Sequence, residues 1–453
     1  MNLLLRRGRK PRASGSPPAT ELERAEPLLL PLTVLVAFLL ATGRWGSYLG
    51  LPSQNLFVTE LGLVGTAAWL LLRHPRLFVP ARLRPLGPLA ALFTWAVIRF
   101  VTGGHFDVTA LRDLAPYVYV IAALGACWQV ASYRRTRVVL EVALVLHLLW
   151  LWVALLAPEW AASLPLLGGK VRLLELRHDF DGAVLAVLTC LAALRAAQRE
   201  LDKAVRVGAV AVAVSATYTI LQLGTRAGLL ALLVVVGVVV LSRVHLLRRM
   251  GRTRLLTVAA LALVITGVTI PHTYLFDRLT ADPRNSDSGS GTVTAREEAW
   301  SLVLEDATKD PTRFVFGSGF GPDFLDRSGA AIWFEGPVDK GVRAPHNFVL
   351  NTLARLGLVG AALLVWVAAT VARAAFRRRS GPDPDQARFD EVLVLLLCAL
   401  TVGSLVGVIL ESPFGAVPFW WAAGLLLAGG ASRREVQHTN ENEPVPSSLT
   451  AGS

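Results

Sequence analysis

Apolar residues occur along this chain in blocks about as long as a bilayer-crossing helix, which needs roughly 20 residues. The backbone in such a block has to be helical, because lipid offers no hydrogen-bond partner to an unpaired N–H or C=O group. The pattern therefore predicts an all-α integral membrane protein with about 12 transmembrane helices, at 28–43, 56–72, 86–101, 114–132, 138–157, 180–195, 206–222, 227–242, 255–271, 347–371, 390–410 and 415–430.

Basic residues between these blocks predict the orientation of the chain. Short segments rich in arginine, such as 134–137 and 377–379, fall on the same side of the membrane as the basic N-terminus. Short basic loops are typical of the cytoplasmic side, so both termini are expected in the cytoplasm. The predicted organisation is a basic N-terminal tail, helices 1 to 9, one large extracytoplasmic loop with short amphipathic helices, helices 10 to 12 and a disordered cytoplasmic tail, at 1–27, 28–271, 272–345, 346–431 and 432–453.

Composition and charge support a membrane protein. The chain is 53% hydrophobic and 17% charged, against about 25% charged residues in soluble proteins. Its net charge of +12 is carried mostly in short loops, which favours the membrane interpretation over a nucleic-acid surface. Cys127, Cys190 and Cys398 fall in separate apolar blocks, so their spacing predicts neither a disulfide framework nor a metal site.

Three arginines on the predicted outer face stand where helices are expected to begin. Arg226 follows Thr225, Arg296 lies in a capping-box pattern, and Arg343 precedes the tenth predicted span. A cation is unfavourable at the positive end of a helix unless an anion shares the site, and that end is a natural phosphate site. We therefore expect Arg226 and Arg296 to converge on a diphosphate. The alternative is that these arginines anchor the protein at the interface or bind lipid headgroups.

One histidine has the surroundings expected of a general base. Pro345 restricts the residue before it to extended backbone, so the tenth helix is expected to begin near His346. A helix N-terminus and a neighbouring Arg343 favour the neutral imidazole, which accepts a proton from a sugar hydroxyl. The alternative is a histidine that caps the helix.

Charged residues near the predicted spans offer further candidate sites. Asp179 and Asp181 form an Asp-x-Asp pair on the outer side, which would suit a divalent metal in a metal-dependent glycosyltransferase; a polar helix entry is the favoured interpretation. Arg355 lies about two helical turns beyond His346 and is expected to line a polar cavity under the site.

The order of these motifs resembles the O-antigen ligase and O-antigen polymerase superfamily. The resemblance rests on Thr225-Arg226, Arg296 to Trp300, Gly317 to Gly321, Pro345-His346-Asn347 and Leu356 to Gly360, which cover about residues 224–361. The helix count extends it along the chain.

The resemblance implies a glycosyltransferase in a bacterial cytoplasmic membrane, with its active site facing outside. Such an enzyme moves a glycan from undecaprenyl diphosphate to an acceptor hydroxyl on a glycan, lipid or protein, without a metal or other cofactor. It implies that His346 deprotonates or orients the acceptor and that Arg226 and Arg296 bind the diphosphate. The remaining candidate substrate-binding residues are Arg177, Trp300, Gly319, Gly321, Arg343 and Asn347.

A transporter or flippase remains an alternative, since about 12 helices suit many transporters. The long outer loop that carries the motifs favours the enzyme. The sequence leaves open ligase or polymerase activity, the sugar, the acceptor and the oligomeric state.

Overall fold

The structure, a computed structural model, describes residues 30–51, 56–73, 84–126, 133–243, 293–334, 342–378 and 384–442. Within these ranges the protein is mostly helical. The predicted ninth span at 255–271, the N-terminal tail and residues 272–292 of the predicted loop lie outside the described residues.

The helices before the predicted outer loop are mainly long. They are α1 Leu30–Thr42, α2 Arg44–Ser47, α3 Val58–Arg73, α4 Gly87–Gly103, α5 Val108–Val118, α6 Ile121–Ala126, α7 Tyr133–Leu156, α8 Pro158–Ser163, α9 His178–Ala196, α10 Lys203–Leu223 and α11 Arg226–Ser242. Two short antiparallel hairpins join some of them, β1 Gly50–Leu51 with β2 Leu56–Phe57, and β3 Leu166–Leu167 with β4 Val171–Arg172.

The later part of the chain has two short helices between longer ones. They are α12 Val293–Thr308, α13 Pro311–Phe316, α14 Phe324–Ser328, α15 Phe348–Arg378, α16 Pro384–Val406 and α17 Pro413–Asn442. Single 3₁₀ turns occupy Arg84–Leu86, Ala331–Trp333 and Ile409–Glu411.

Five helices in the described part of the chain are long and apolar enough to cross a membrane, namely Arg84–Gly103, Tyr133–Leu156, Lys203–Leu223, Phe348–Arg377 and Pro384–Val406. Shorter apolar helices occur at Leu32–Thr42, Val58–Ala68, Arg226–Ser242 and Pro413–Ala428. These apolar helices indicate a membrane protein, and the full count of about 12 spans stays a prediction.

Two boundaries differ from those expected. The block 114–132 does not form one continuous helix, because α5 ends at Val118 and α6 begins at Ile121. Pro116 lies inside α5, where it removes a backbone donor and disfavours continuation of the helix. The last helix continues to Asn442, past residue 431 where the tail was expected to begin.

Helix α9 lies at the centre of the main bundle. Its residues Ala183 to Val187 are fully buried, and it packs against α7, α10, α11 and α16. At one crossing the backbones nearly touch, since a Cβ on Gly182 would lie 2.7 Å from the Cα of Gly228 in α11. This close approach places the N-terminus of α9 beside the N-terminus of α11.

A second, smaller apolar core lies above the bundle. Ala299 and Val303 of α12 pack with Phe324 and Leu325 of α14 and with Leu350 near the start of α15. Trp300 and Leu302 of α12 pack against the same core. Burial of these apolar side chains attaches residues 293–334, here called the outer segment after their predicted location, to the long helix that follows His346.

Candidate active site

His346 lies in the turn that leads into α15. Its backbone φ is +52°, a left-handed conformation that is uncommon for a residue other than glycine. The helix begins at Phe348, slightly later than expected, and the Asn347 Oδ1 accepts a hydrogen bond from the Leu350 N–H at 3.0 Å. Asn347 is thus the capping residue of α15, and the capping role considered for His346 belongs to its neighbour.

Two aromatic side chains hold the His346 turn in place. The Trp300 Nε1–H of α12 donates a hydrogen bond to the Pro345 carbonyl at 2.7 Å. Phe334 meets the imidazole edge to face, with ring centroids 5.0 Å apart. Both contacts come from the outer segment, so the position of the imidazole depends on how that segment is packed.

A buried ionic network lies beneath the turn. Arg343 forms a bidentate pair with Asp113 of α5, at 3.1 and 2.7 Å, and donates to Asp323 at 2.9 Å. Arg355, whose side chain is 2% exposed, pairs with the same Asp113 at 2.9 Å and donates to the Arg343 carbonyl at 3.0 Å. Arg355 therefore supports the backbone before His346, where the sequence predicted that it lines a cavity.

The glycine-rich segment, Gly317 to Gly321, packs against a break in α15. Gly357 has φ +69° inside the helix, which leaves the carbonyls of the preceding turn available. The N–H groups of Ser318 and Gly319 donate to the carbonyls of Ala354 and Arg355, at 2.8 and 3.0 Å. A Cβ on Gly317 would lie 2.2 Å from the Arg355 carbonyl oxygen, so this contact requires glycine.

Gly321 belongs to the same structural unit. Its N–H donates to Asp113 at 3.3 Å, and its carbonyl accepts from Arg343 at 2.6 Å. The structure thus gives Gly319, Gly321 and Arg343 clear structural contacts. Their role as substrate ligands stays a prediction.

Three other arginines form a group in which Arg296 is near the other two. Arg177 lies at the N-terminus of α9, Arg226 begins α11, and Arg296 lies on α12. The charges of Arg177 and Arg226 both lower the pKa of Arg296, although burial is the largest cause and nearby Asp179 acts in the opposite direction. We call Arg177, Arg226 and Arg296 the arginine cluster.

Two members of the arginine cluster have defined local contacts. Arg177 pairs with Asp179 at 3.0 Å, and Arg296 donates from Nη1 to the Val406 carbonyl at 2.8 Å. The Arg296 Nε–H is buried and has no hydrogen-bond partner within the described ranges. Buried donors are nearly always paired in native proteins, so an orphaned guanidinium donor indicates space for an acceptor.

The N-termini of two helices add backbone N–H donors beside the arginine cluster. Thr225 caps α11, as the sequence predicts, by accepting from the Gly228 N–H at 3.5 Å. The start of α11 lies against the start of α9 because Gly182 and Gly228 cross closely. Two helix N-termini and the arginine cluster therefore produce a region of positive potential that suits an anion.

The arginine cluster also acts on the imidazole. Burial lowers the pKa of His346 to about 3, and the charges of Arg296 and Arg177 contribute in the same direction. Each of these factors disfavours the imidazolium ion. His346 is thus uncharged at neutral pH, as expected from the sequence, and its unprotonated nitrogen can accept a proton.

Several residues of this site were not identified in the sequence. Asp113 connects Arg343, Arg355 and Gly321, but as a single acid before an apolar block it carries no motif. Glu411, in the last 3₁₀ turn, borders the site as well. The Asp179 and Asp181 pair is explained by local contacts, since Asp181 accepts from the Arg177 N–H at 2.6 Å and lies 3.4 Å from the His147 Nε2.

Comparison with known proteins identifies one related family. Residues 211–365 match a family model described as O-antigen ligase. The matched stretch contains Arg226, Arg296 and His346, together with the glycine-rich segment and Gly357. A search of curated proteins finds no match.

Proposed function

Residues 211–365 are an O-antigen ligase-like domain, and from this premise we propose that the protein is an extracytoplasmic glycosyltransferase. It moves a glycan from a polyprenyl diphosphate carrier, undecaprenyl diphosphate in bacteria, to an acceptor hydroxyl, as an O-antigen ligase or a polysaccharide polymerase does. The acceptor is a glycan, a lipid or a protein.

One observation carries the proposal. The arginine cluster, with a buried and unpaired Arg296 Nε–H, lies close enough to His346 for Arg296 and Arg177 to lower its pKa. An anion with several acceptor oxygens would neutralise this cluster and complete its hydrogen bonds. A diphosphate matches it in charge, and arginine binds phosphate oxygens in a bidentate manner.

The proposed reaction is a direct displacement. The acceptor oxygen forms a bond to the anomeric carbon while the bond from that carbon to the diphosphate oxygen breaks. The hydroxyl proton passes to the neutral His346 nitrogen, and the diphosphate leaves on its lipid. Attack from the side opposite the leaving group inverts the anomeric carbon.

Donor binding should improve His346 as a base. In the unliganded protein burial, together with the charges of Arg296 and Arg177, holds the pKa of His346 far below its usual range, which makes it a weak base. A bound diphosphate offsets those positive charges, so the pKa rises towards the working pH, where general base catalysis is most effective. The base is thereby activated after the donor is in place.

The charge that develops on the leaving diphosphate needs fixed positive groups. Three guanidinium groups and two helix N-termini supply such groups before the reaction begins, which is the condition for electrostatic stabilisation of a transition state. We propose on this ground that the reaction is metal-independent. Activity should therefore persist when a chelator is added.

The location of the site follows from the predicted topology. We propose that both termini lie in the cytoplasm, that the outer segment and His346 face outside, and that the protein resides in the bacterial cytoplasmic membrane. A carrier lipid with a long apolar tail would then reach the arginine cluster from the bilayer.

The test is a transfer assay with the purified full-length protein in lipid nanodiscs. Wild-type protein is expected to release polyprenyl diphosphate and to glycosylate an added acceptor, whereas His346→Ala is expected to transfer about 10²–10⁴-fold more slowly. Glu305→Gln, an exposed change on α12, should behave as wild type. Absence of transfer by the wild type with glycan, lipid and protein acceptors, or full transfer by His346→Ala, would overturn the proposal.

A further inference from the structure

The carboxyl group of Glu411 is buried without a hydrogen bond. Glu411 ends the 3₁₀ turn Ile409–Glu411 between α16 and α17. Both of its carboxyl oxygens are shielded from solvent, and neither accepts a hydrogen bond from any residue that the structure describes. A buried polar group without a partner costs roughly 1–3 kcal/mol, so its retention suggests a function that its immediate surroundings do not satisfy.

The segment that carries Glu411 borders the arginine cluster. Val406, at the end of α16, accepts the Arg296 hydrogen bond at 2.8 Å. One residue later, a Cβ on Gly407 would lie 2.3 Å from the Asp179 Oδ2, and Asp179 pairs with Arg177. The residues just before the turn therefore contact Arg296 directly and Arg177 through Asp179.

The charged groups around Glu411 come from three parts of the fold. Arg355 of α15 and Arg177 before α9 lower the pKa of Glu411, and Asp113 of α5 raises it. Tyr117 of α5 lies near enough to interact with Glu411 as well. Burial is the largest cause and raises the pKa of Glu411 to about 8.

Protonation decides what Glu411 can bind. At neutral pH the carboxyl group is mostly uncharged, so it offers one O–H donor and one acceptor oxygen. A neutral group does not repel a diphosphate in the neighbouring cluster. A pair of donor and acceptor suits a sugar hydroxyl, which both donates and accepts.

We propose that Glu411 binds a hydroxyl of the first sugar of the donor, next to the diphosphate. The inference rests on the proposed function, because it takes the arginine cluster as the diphosphate site. Arg177 acts on both His346 and Glu411, so the two groups lie within electrostatic range of one cation. The first sugar is the part of the donor that must lie between the diphosphate and His346, and Glu411 would select and orient it.

The inference is tested by comparing two ligands. Binding of a polyprenyl diphosphate that carries one sugar and of bare polyprenyl diphosphate is measured with full-length protein in nanodiscs. Glu411→Met keeps the approximate volume of the side chain and removes both oxygens. It should bind the glycosylated ligand about tenfold more weakly than wild type and the bare ligand equally well.

Variants and stability measurements separate this role from a structural one. Glu411→Gln keeps a donor and an acceptor and should recover most of the lost affinity, and the exposed Glu305→Gln should bind both ligands as wild type does. The melting temperature of Glu411→Met should equal or exceed that of wild type, because an unpaired polar group is removed. A structural role predicts a lower melting temperature and weaker binding of both ligands.

The remaining outcomes are equally decisive. Unchanged affinity of Glu411→Met for the glycosylated ligand would overturn the inference and leave the proposed function intact. An increase confined to the KM for the acceptor would assign the hydroxyl to the acceptor and overturn the donor assignment. Failure of the wild type to bind either ligand would count against the proposed function itself.

Discussion

Arg296 is buried beside two other guanidinium groups, an arrangement that destabilises the unliganded protein. Burial, and after it repulsion from Arg177 and Arg226, lowers its pKa, and its Nε–H has no hydrogen-bond partner among the described residues. Binding sites for anions often retain such unfavourable charge, because the ligand restores the balance. On the proposed function, the unfavourable charge of the empty site would become affinity for a bound diphosphate.

The coupling between Arg296 and His346 is directly measurable. Arg296→Gln removes a positive charge that disfavours the imidazolium ion, so the pKa of His346 should rise from its low value. NMR titration of labelled histidine in the unliganded protein would report the shift, with the exposed Arg112→Gln as a control. An unchanged or lower pKa would show that Arg296 does not act on His346.

Asp113 is the acidic residue that joins two arginines beneath His346. It pairs with both Arg343 and Arg355, and Arg355 is almost completely buried. Removal of one partner leaves a buried charge uncompensated, which typically costs 3–5 kcal/mol.

Asp113→Ala is therefore expected to destabilise the protein by about 3–5 kcal/mol. Thermal unfolding in detergent would detect this as a large drop in melting temperature. Asp326→Ala, a change at an exposed aspartate of α14, provides the control. Equal melting temperatures for the two variants would show that the network contributes little.

At the scale of elements, the break in α15 positions the outer segment. The helix departs from regular geometry at Gly357. The carbonyl groups that are left free there accept hydrogen bonds from N–H groups of the glycine-rich segment. Trp95 of α4 donates to the Leu356 carbonyl at 2.9 Å in the same region. Three separate elements are thus joined through the backbone of one irregular turn.

Gly357→Ala tests the importance of this break. Its Cβ would lie 2.3 Å from the Val315 carbonyl oxygen, and its φ of +69° is strained for alanine. We expect a loss of stability of at least about 1–3 kcal/mol, measured by thermal unfolding, with a parallel loss of transfer activity.

The matched control is Gly237→Ala in α11, where a Cβ meets nothing within 4 Å. Alanine has the higher helix propensity, so this variant should be as stable as wild type or slightly more stable. Similar behaviour of Gly357→Ala and Gly237→Ala would contradict the role given to the break.

At the scale of the whole molecule, two apolar cores meet at the site. The bundle core contains α9 and its neighbours, and the smaller core joins α12 and α14 to the start of α15. His346 and the arginine cluster lie where the two cores meet. On the proposed function, this position would allow a lipid-linked donor and an acceptor to approach from different sides.

The proposed orientation can be tested by cysteine labelling in intact cells. In a background without Cys127, Cys190 and Cys398, Asp326→Cys should react with a membrane-impermeant maleimide. Glu200→Cys, between α9 and α10, should react only after the membrane is permeabilised. Reversed labelling would place His346 in the cytoplasm and remove its access to an external acceptor.

Local sequence signals predicted part of this architecture. Runs of apolar residues gave most helix positions, because burial in lipid acts on each block independently of its partners. Thr225 as a cap was also predictable, since capping depends on neighbouring residues. A neutral His346 was expected from Arg343, but the causes in the structure are burial and the sequence-distant Arg296 and Arg177. The break at Pro116 was missed because residue hydrophobicity outweighed the local effect of proline.

Sequence alone indicated a helical membrane protein and placed His346, Arg226 and Arg296 in motifs that resemble one family. Only the tertiary structure decided that Asp113 binds two arginines, that Gly182 and Gly228 bring two helix N-termini together, and that the buried Glu411 carboxyl group lies within electrostatic range of Arg177. These partners are far apart along the chain, and a contact between distant residues leaves no periodic or compositional signal in a single sequence. The packing of the helices therefore decides which charges meet, and through them the chemistry of the site.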